Sequence, residues 1–231
     1  MSKRVRGLLI GFVTMVLMGI STVSNVFAAA GDTSEKTILL DRAHMDTLKD
    51  VGARYGKYTE KDIVNSITDL VGEKLQARGY NIIYTRDRNT PTTIQQRQQK
   101  AWNNEYDYYI SLHANSSSSG KGAGTESYYR GKAKELSESI CKSISKNFSI
   151  PYRKTIETSY YNRKIQDSTI IELGFINDSR DLDILLNNQE EISNIIVESI
   201  ENQYSNKEET VKIPMGDGTY IKSNYNMRLK K

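Results

Sequence analysis

Residues 60–86 read EKDIVNSITDLVGEKLQARGYNIIYTR. Ile63, Ile67, Leu70, Val71 and Leu75 recur at the spacing of one helical face, so Glu60–Arg78 is expected to be an amphipathic helix that Gly79 ends. Ile82-Ile83-Tyr84 follows within Tyr80–Arg86 as a short apolar run of strand type. Upstream, Ile38-Leu39-Leu40 within Thr37–Asp41 is a second such run with a turn after it. Strand, helix, strand is the unit that sets two strands side by side and parallel.

The alternation continues outward. Thr92–Asn103 is polar and reads as a surface helix, and Tyr106–Ala114 is β-rich, its aromatics leading into Ile110 and Leu112. Gly124–Arg130 reads as a further strand. Lys132–Phe148 repeats Leu136, Ile140, Ile144 and Phe148 at helical spacing. Ser168–Phe175 is a strand of the buried type, and Glu190–Tyr204 a closing helix carrying Ile192, Ile195, Ile196 and Ile200. The expected fold is therefore α/β: a mixed, largely parallel central sheet flanked by helices in a single domain. Ligand sites of such sheets form beyond the carboxyl ends of the strands. Asn115–Gly124, rich in Ser and Gly, reads either as a flexible connection or as a lip beside such a site.

The termini read differently. Lys3, Arg4 and Arg6 precede an uncharged run from Gly7 to Gly31, densest in apolar residues from Leu8 to Ile20 and ending in Ala28-Ala29-Ala30. That order is expected of a secretory signal or, if retained, of an N-terminal anchor over residues 1–30; a membrane enters only in the second case. Those three cations are the only charges before Asp32, so of the formal +4 only +1 belongs to the rest of the chain. A balance so near neutrality gives no pointer to nucleic acid, and an ordinary solvated surface with no nucleic-acid partner is expected. Residues 206–231 hold six basic and three acidic residues and read as a basic tail, either disordered or wall-associating. Cys141 is the only cysteine, which excludes an intrachain disulfide; among Leu136, Ile140 and Ile144 it reads as a small buried hydrophobe.

The chain has two histidines, His44 and His113, and each falls just after an expected strand. On neighbouring parallel strands both imidazoles would reach one edge of the sheet. Imidazole is a favoured zinc ligand, and a catalytic zinc needs three protein ligands plus an open position. Glu60 opens the first long helix behind Thr59; by spacing alone it is read as serving the helix dipole. Glu172 sits inside Thr169-Ile170-Ile171-Glu172-Leu173-Gly174-Phe175. A carboxylate in such a run is costly unless paired or bound, which favours a role in proton transfer over an outward-facing strand position.

Taken in order, Asp41-Arg42-Ala43-His44, Thr59-Glu60-Lys61-Asp62-Ile63, Tyr84-Thr85-Arg86, Ser111-Leu112-His113-Ala114-Asn115 and Glu172-Leu173-Gly174-Phe175-Ile176-Asn177 resemble the zinc-dependent N-acetylmuramoyl-L-alanine amidases. The likeness covers residues 37–204. It implies that residues 36–205 form the amidase catalytic domain, that His44, Glu60 and His113 bind Zn2+, and that Glu172 is the catalytic carboxylate. It implies peptidoglycan as substrate and a secreted or cell-wall location. The reading of Glu60 as a dipole partner is thereby reversed. The family usually has Asp-Pro-Gly-His-Gly-Gly where this chain has Asp41-Arg42-Ala43-His44-Met45-Asp46. Asp46 is there a candidate partner for a ligating imidazole. Arg86 and Arg97, which match recurring arginines of the family, are read as structural ion-pairing residues in preference to substrate contacts. Two alternatives share these residues: a wall-binding protein with a weakened site, and a zinc peptidase cutting within the stem peptide.

Overall fold

The computed structural model describes residues 36–158, 165–208, 210–214 and 220–224. The export segment expected over residues 1–30 lies outside them. Among the described residues no helix is long and apolar enough to cross a membrane.

Six strands form one sheet. β1 (Thr37–Arg42), β4 (Asn81–Tyr84), β5 (Tyr108–Asn115) and β8 (Ser168–Phe175) are mutually parallel in the order β4-β1-β5-β8. β6 (Thr125–Arg130) then runs antiparallel to β8, and β7 (Tyr152–Glu157) runs parallel to β6 at the edge. The sheet is mixed and mostly parallel, as expected. A two-residue ribbon, β2 (Arg54–Tyr55) with β3 (Tyr58–Thr59), precedes the first helix. In the tail, β9 (Thr210–Pro214) pairs antiparallel with β10 (Tyr220–Asn224), so part of the segment read as a disordered or wall-associating tail is a hairpin.

The helices begin and end where their chemistry says. α1 (Glu60–Ala77) starts at Thr59, whose Oγ1 accepts from Asp62 N at 3.3 Å, with Glu60 and Asp62 in its first turn. α2 (Ile94–Trp102) opens on a reciprocal cap between Thr93 and Gln96. α3 (Lys134–Phe148) follows a short 3-10 turn at Gly131–Ala133 and stops at Ser149, which is left-handed at φ 53°. α4 (Ser179–Asn187) is capped by Asp178, and α5 (Gln189–Glu208) closes the domain.

The large core lies between the sheet and α1, α3, α4 and α5, and takes Ile38, Leu40, Tyr108, Ile110, Leu112, Ile171 and Leu173 from the strands. Cys141 is buried in it, and burial pushes its thiol up to about 11, so it behaves as a hydrophobe. On the other face a smaller cluster holds Leu39, Tyr109, Ile165 and Ala101 of α2. Side chains alternate along a strand. The positions in phase with Leu39, Tyr109 and Ile170 are therefore Asp41, Ser111, His113 and Glu172. The sparsely covered face turns polar toward the carboxyl ends of its strands.

Candidate metal centre

Three elements bring three side chains to that polar edge. His44 lies on the loop leaving β1, Glu60 is the first residue of α1, and His113 is near the end of β5, beside a register shift between His113 and Asn115. One donor atom from each lies within 4.8 Å of the other two, and this group could hold a metal ion. His44 Nε2 is 2.9 Å from Glu60 Oε1, and His113 Nδ1 is 2.9 Å from the same oxygen. Nevertheless His44 Nε2 is buried and has no hydrogen-bond partner among the described residues. A buried imidazole nitrogen 2.9 Å from a carboxylate oxygen but out of hydrogen-bond geometry with it is what a shared cation satisfies. Gly52 keeps the space open. At φ 67°, a Cβ built there would lie 2.6 Å from His44 Nε2 and 2.5 Å from Glu60 Oε2. The residues present fit a divalent ion of the zinc type.

Glu60 is buried and held firmly. Its Oε1 accepts from Ala114 N at 3.1 Å and its Oε2 from Ala53 N at 2.8 Å. Burial alone would raise its pKa, but the imidazoles of His113 and His44 beside it hold the carboxyl well below its ordinary value. His113 is shifted the other way: burial lowers its pKa, while Glu60, Glu172 and Asp41 outweigh it and raise the imidazole.

Glu172 is the register partner of His113 on β8. Its Oε2 is buried without a hydrogen-bond partner among the described residues. Burial pushes the carboxyl up to about 7, a tendency that His113 opposes and that Glu60 and Glu126 reinforce. All four residues singled out in the sequence therefore meet at one edge.

The surrounding groups were less visible. The carboxylate facing His44 Nδ1 is Asp50, at 3.3 Å, and not Asp46. Asp50 is itself fixed by the N–H groups of Asp46 (3.0 Å) and Gly52 (3.3 Å). Asp46 instead meets Arg97 Nη2 at 3.1 Å, because the chain turns back on itself between them. Arg97 also donates to both oxygens of buried Asp41 at 3.0 Å. Asp41 in turn accepts from Ser111 Oγ (2.7 Å), which lies 3.1 Å from His113 Nε2. Arg97, Asp41 and Ser111 thus orient the second imidazole as Asp50 orients the first. No local pattern marks Asp50; among these groups the sequence assigns a role only to Asp46 and Arg97, with Asp41 and Ser111 present as members of the family-like motifs.

Arg86 departs from the ion-pairing role assigned to it. Among the described residues its hydrogen bonds go to the carbonyl oxygens of Arg42, Ala43, His44, Asp87 and Arg88, and to Asn65 Oδ1. It clamps the loop in which His44 (φ 62°) and Met45 (φ 70°) are both left-handed. That conformation costs about 1–2 kcal/mol for each non-glycine residue. A cleft of about 270 Å³, lined in part by His44, Asp50, Arg97 and His113, opens beside the group.

A mostly parallel α/β sheet with two imidazoles and a carboxylate converging beyond its central strands defines an enzyme with a candidate metal centre. The chain belongs to the N-acetylmuramoyl-L-alanine amidase family, whose model matches residues 38–202. It is 28% identical over 201 residues to the uncharacterized protein YqiI of Bacillus subtilis strain 168, covering 83% of this chain and 96% of that one. It is 30% identical over 173 residues to the germination-specific N-acetylmuramoyl-L-alanine amidase of the same strain, covering 66% of this chain and 72% of that one. Among solved structures, the amidase AmiC2 of Nostoc punctiforme superposes with a TM-score of 0.67 at 26% identity, over 74% of this chain and 97% of the other.

Proposed function

We propose that this chain is an exported zinc enzyme that hydrolyses the amide between N-acetylmuramic acid and L-alanine of the peptidoglycan stem peptide. In this reading residues 36–205 are the catalytic domain, His44, Glu60 and His113 hold the ion, and Glu172 is the catalytic carboxylate. Residues 1–30 direct export to the cell wall, and residues 206–231 lie outside the chemistry. The observation that carries the proposal is the orphaned, buried His44 Nε2, 2.9 Å from a carboxylate that also meets His113.

When bound, the ion supplies Lewis-acid activation of water and of the scissile carbonyl. The chain's own residues do the rest. Asp50 and Ser111 fix the two imidazole planes from behind. Glu172 takes a proton from the attacking water at its unpartnered Oε2 and returns it to the departing amine nitrogen. A carboxyl pushed up toward neutrality is suited to both halves of that transfer.

Glu172→Ala is expected to keep stoichiometric zinc by atomic absorption while losing about 10²–10⁴-fold in turnover on purified peptidoglycan. Turnover that survives the substitution removes Glu172 from this role. Mass spectrometry of the wild-type digest should show intact stem peptides beginning at alanine; cuts inside the stem peptide would assign the peptidase reaction instead.

A further inference from the structure

A single row of register partners crosses four strands on the polar face. His113 on β5 pairs with Glu172 on β8, Glu172 with Glu126 on β6, and Glu126 with Lys154 on β7. At a strand spacing of about 4.8 Å the row runs roughly 14 Å from the candidate metal centre to the edge of the sheet. Its chemistry changes sign along the way, from ligand and acid to cations.

The far end is a built cleft of about 370 Å³. Its floor is Glu126, which is 4% exposed and accepts from Asn115 Nδ2 (2.9 Å), Tyr128 Oη (2.8 Å) and Arg153 Nε (2.8 Å). Lys154 Nζ lies 3.7 Å from the same carboxylate. One acid thus faces two cations, and Lys121, on the wall of the cleft, has no ion-pair partner among the described residues. The cations are held in place by aromatic rings: Arg153 lies 5.0 Å from the centroid of Phe175, and Lys154 lies 4.9 Å from that of Tyr128. Arg153 Nη1 finds only Ala123 O, at 3.5 Å, and Nη2 has no partner among the described residues.

The Ser- and Gly-rich segment forms the wall, and it is tied down. Asn177 exchanges two hydrogen bonds with the backbone of Ser117, at 3.0 and 2.7 Å. A fixed, surplus-positive cleft with an unfilled guanidinium fork is matched to a carboxylate.

We infer that this cleft is a substrate subsite for a free carboxylate on the leaving peptide, three or four residues beyond the amide that is cut. Extended peptide advances about 3.3 Å per residue, so about four residues bridge the row from His113 to Lys154. Arg153, Lys154 and Lys121 set the preference for an acidic stem peptide, and Glu126 holds the first two in position. The inference rests on the amidase reading above.

The test uses the zinc-loaded full chain and two synthetic N-acetylmuramoyl-tetrapeptides that differ only in whether the carboxyl groups of the third and fourth residues are free or amidated. For the wild type, the KM of the free form should be lower by about tenfold, the lower end for charge-assisted hydrogen bonds at a partly exposed site. In the doubly substituted Lys121→Glu, Lys154→Glu chain the ratio of the two KM values should fall to about one, and Lys154→Arg should restore part of it. Equal KM values in the wild type, or a ratio that survives the double substitution, overturn the inference. If the wild type cleaves neither substrate, the amidase reading fails by itself. Calorimetry of the two free tetrapeptides on the Glu172→Ala chain then still reads the subsite: tighter binding of the free-carboxylate form supports it, and equal affinity overturns it.

Discussion

Along β5, Tyr108, Ile110, Leu112 and Ala114 enter the helix-covered core, while Tyr109, Ser111 and His113 alternate with them on the polar side. The first set touches many neighbours of one kind. The second set is a chain of specific contacts, from Arg97 through Asp41 and Ser111 to His113. The difference lies in how each face fails. A lost methyl group on the core face costs packing and leaves the other contacts in place. A lost group on the polar face strands a buried charge.

The sharpest way to break the comparison is at Arg97. Arg97→Met leaves Asp41, 2% exposed, without its counter-ion and should cost about 3–5 kcal/mol in urea unfolding near neutral pH. The pH dependence has a definite sign. Burial would raise the Asp41 pKa, but Arg97, Thr85 and Ser111 hold it below its ordinary value. Its contribution is therefore present above the unfolded carboxyl value of about 4 and is lost as pH falls through the folded value. In the variant burial acts unopposed by Arg97, so the cost should shrink as the solution is acidified. A cost that is flat between pH 7 and pH 3 would place the stabilisation elsewhere.

Ile110→Ala, next to Ser111 on the same strand, should cost about 2–5 kcal/mol through the cavity it leaves. Zinc affinity of the folded variant should match the wild type, because Ile110 points away from the donor atoms; a competitive chelator titration checks this. Gly52→Ala is the mildest change in mass. Its new Cβ meets His44 and Glu60, so zinc affinity should drop by about 10–100-fold, as for a disturbed ligand support, and the left-handed backbone should cost the fold about 1–2 kcal/mol in urea unfolding.

Most strands and helices were readable because each has a clean period. Glu60–Ala77 shows five apolar residues on one face, and Ser168–Phe175 is a mostly buried run broken only at Ile170 and Glu172, which are partly exposed. β7 was missed because it is an edge strand whose residues are all half-buried or exposed, so Tyr152–Glu157 shows no apolar side. α4 was missed because its signal is a short one, an Asp178 cap before nine residues. The reversed direction of β6 is invisible locally, since alternation is the same in either direction. His44, Glu60, His113 and Glu172 could be picked out, three by position or cost and Glu60 only by resemblance. Asp50 and Gly52 could not be, since their importance arises when a loop folds back on a histidine several residues away.

Arg86 makes the unusual loop around His44 intelligible. A tight turn at a ligand is commonly written into its own residues as glycines, which reach left-handed angles at no steric cost. Here His44 and Met45 adopt those angles while a single guanidinium grips three successive carbonyl oxygens from outside. The loop is cast in a mould that belongs to another strand's end. Its own letters are thereby released from the task of shaping it, and the burden of inheritance passes to a residue far away in the chain.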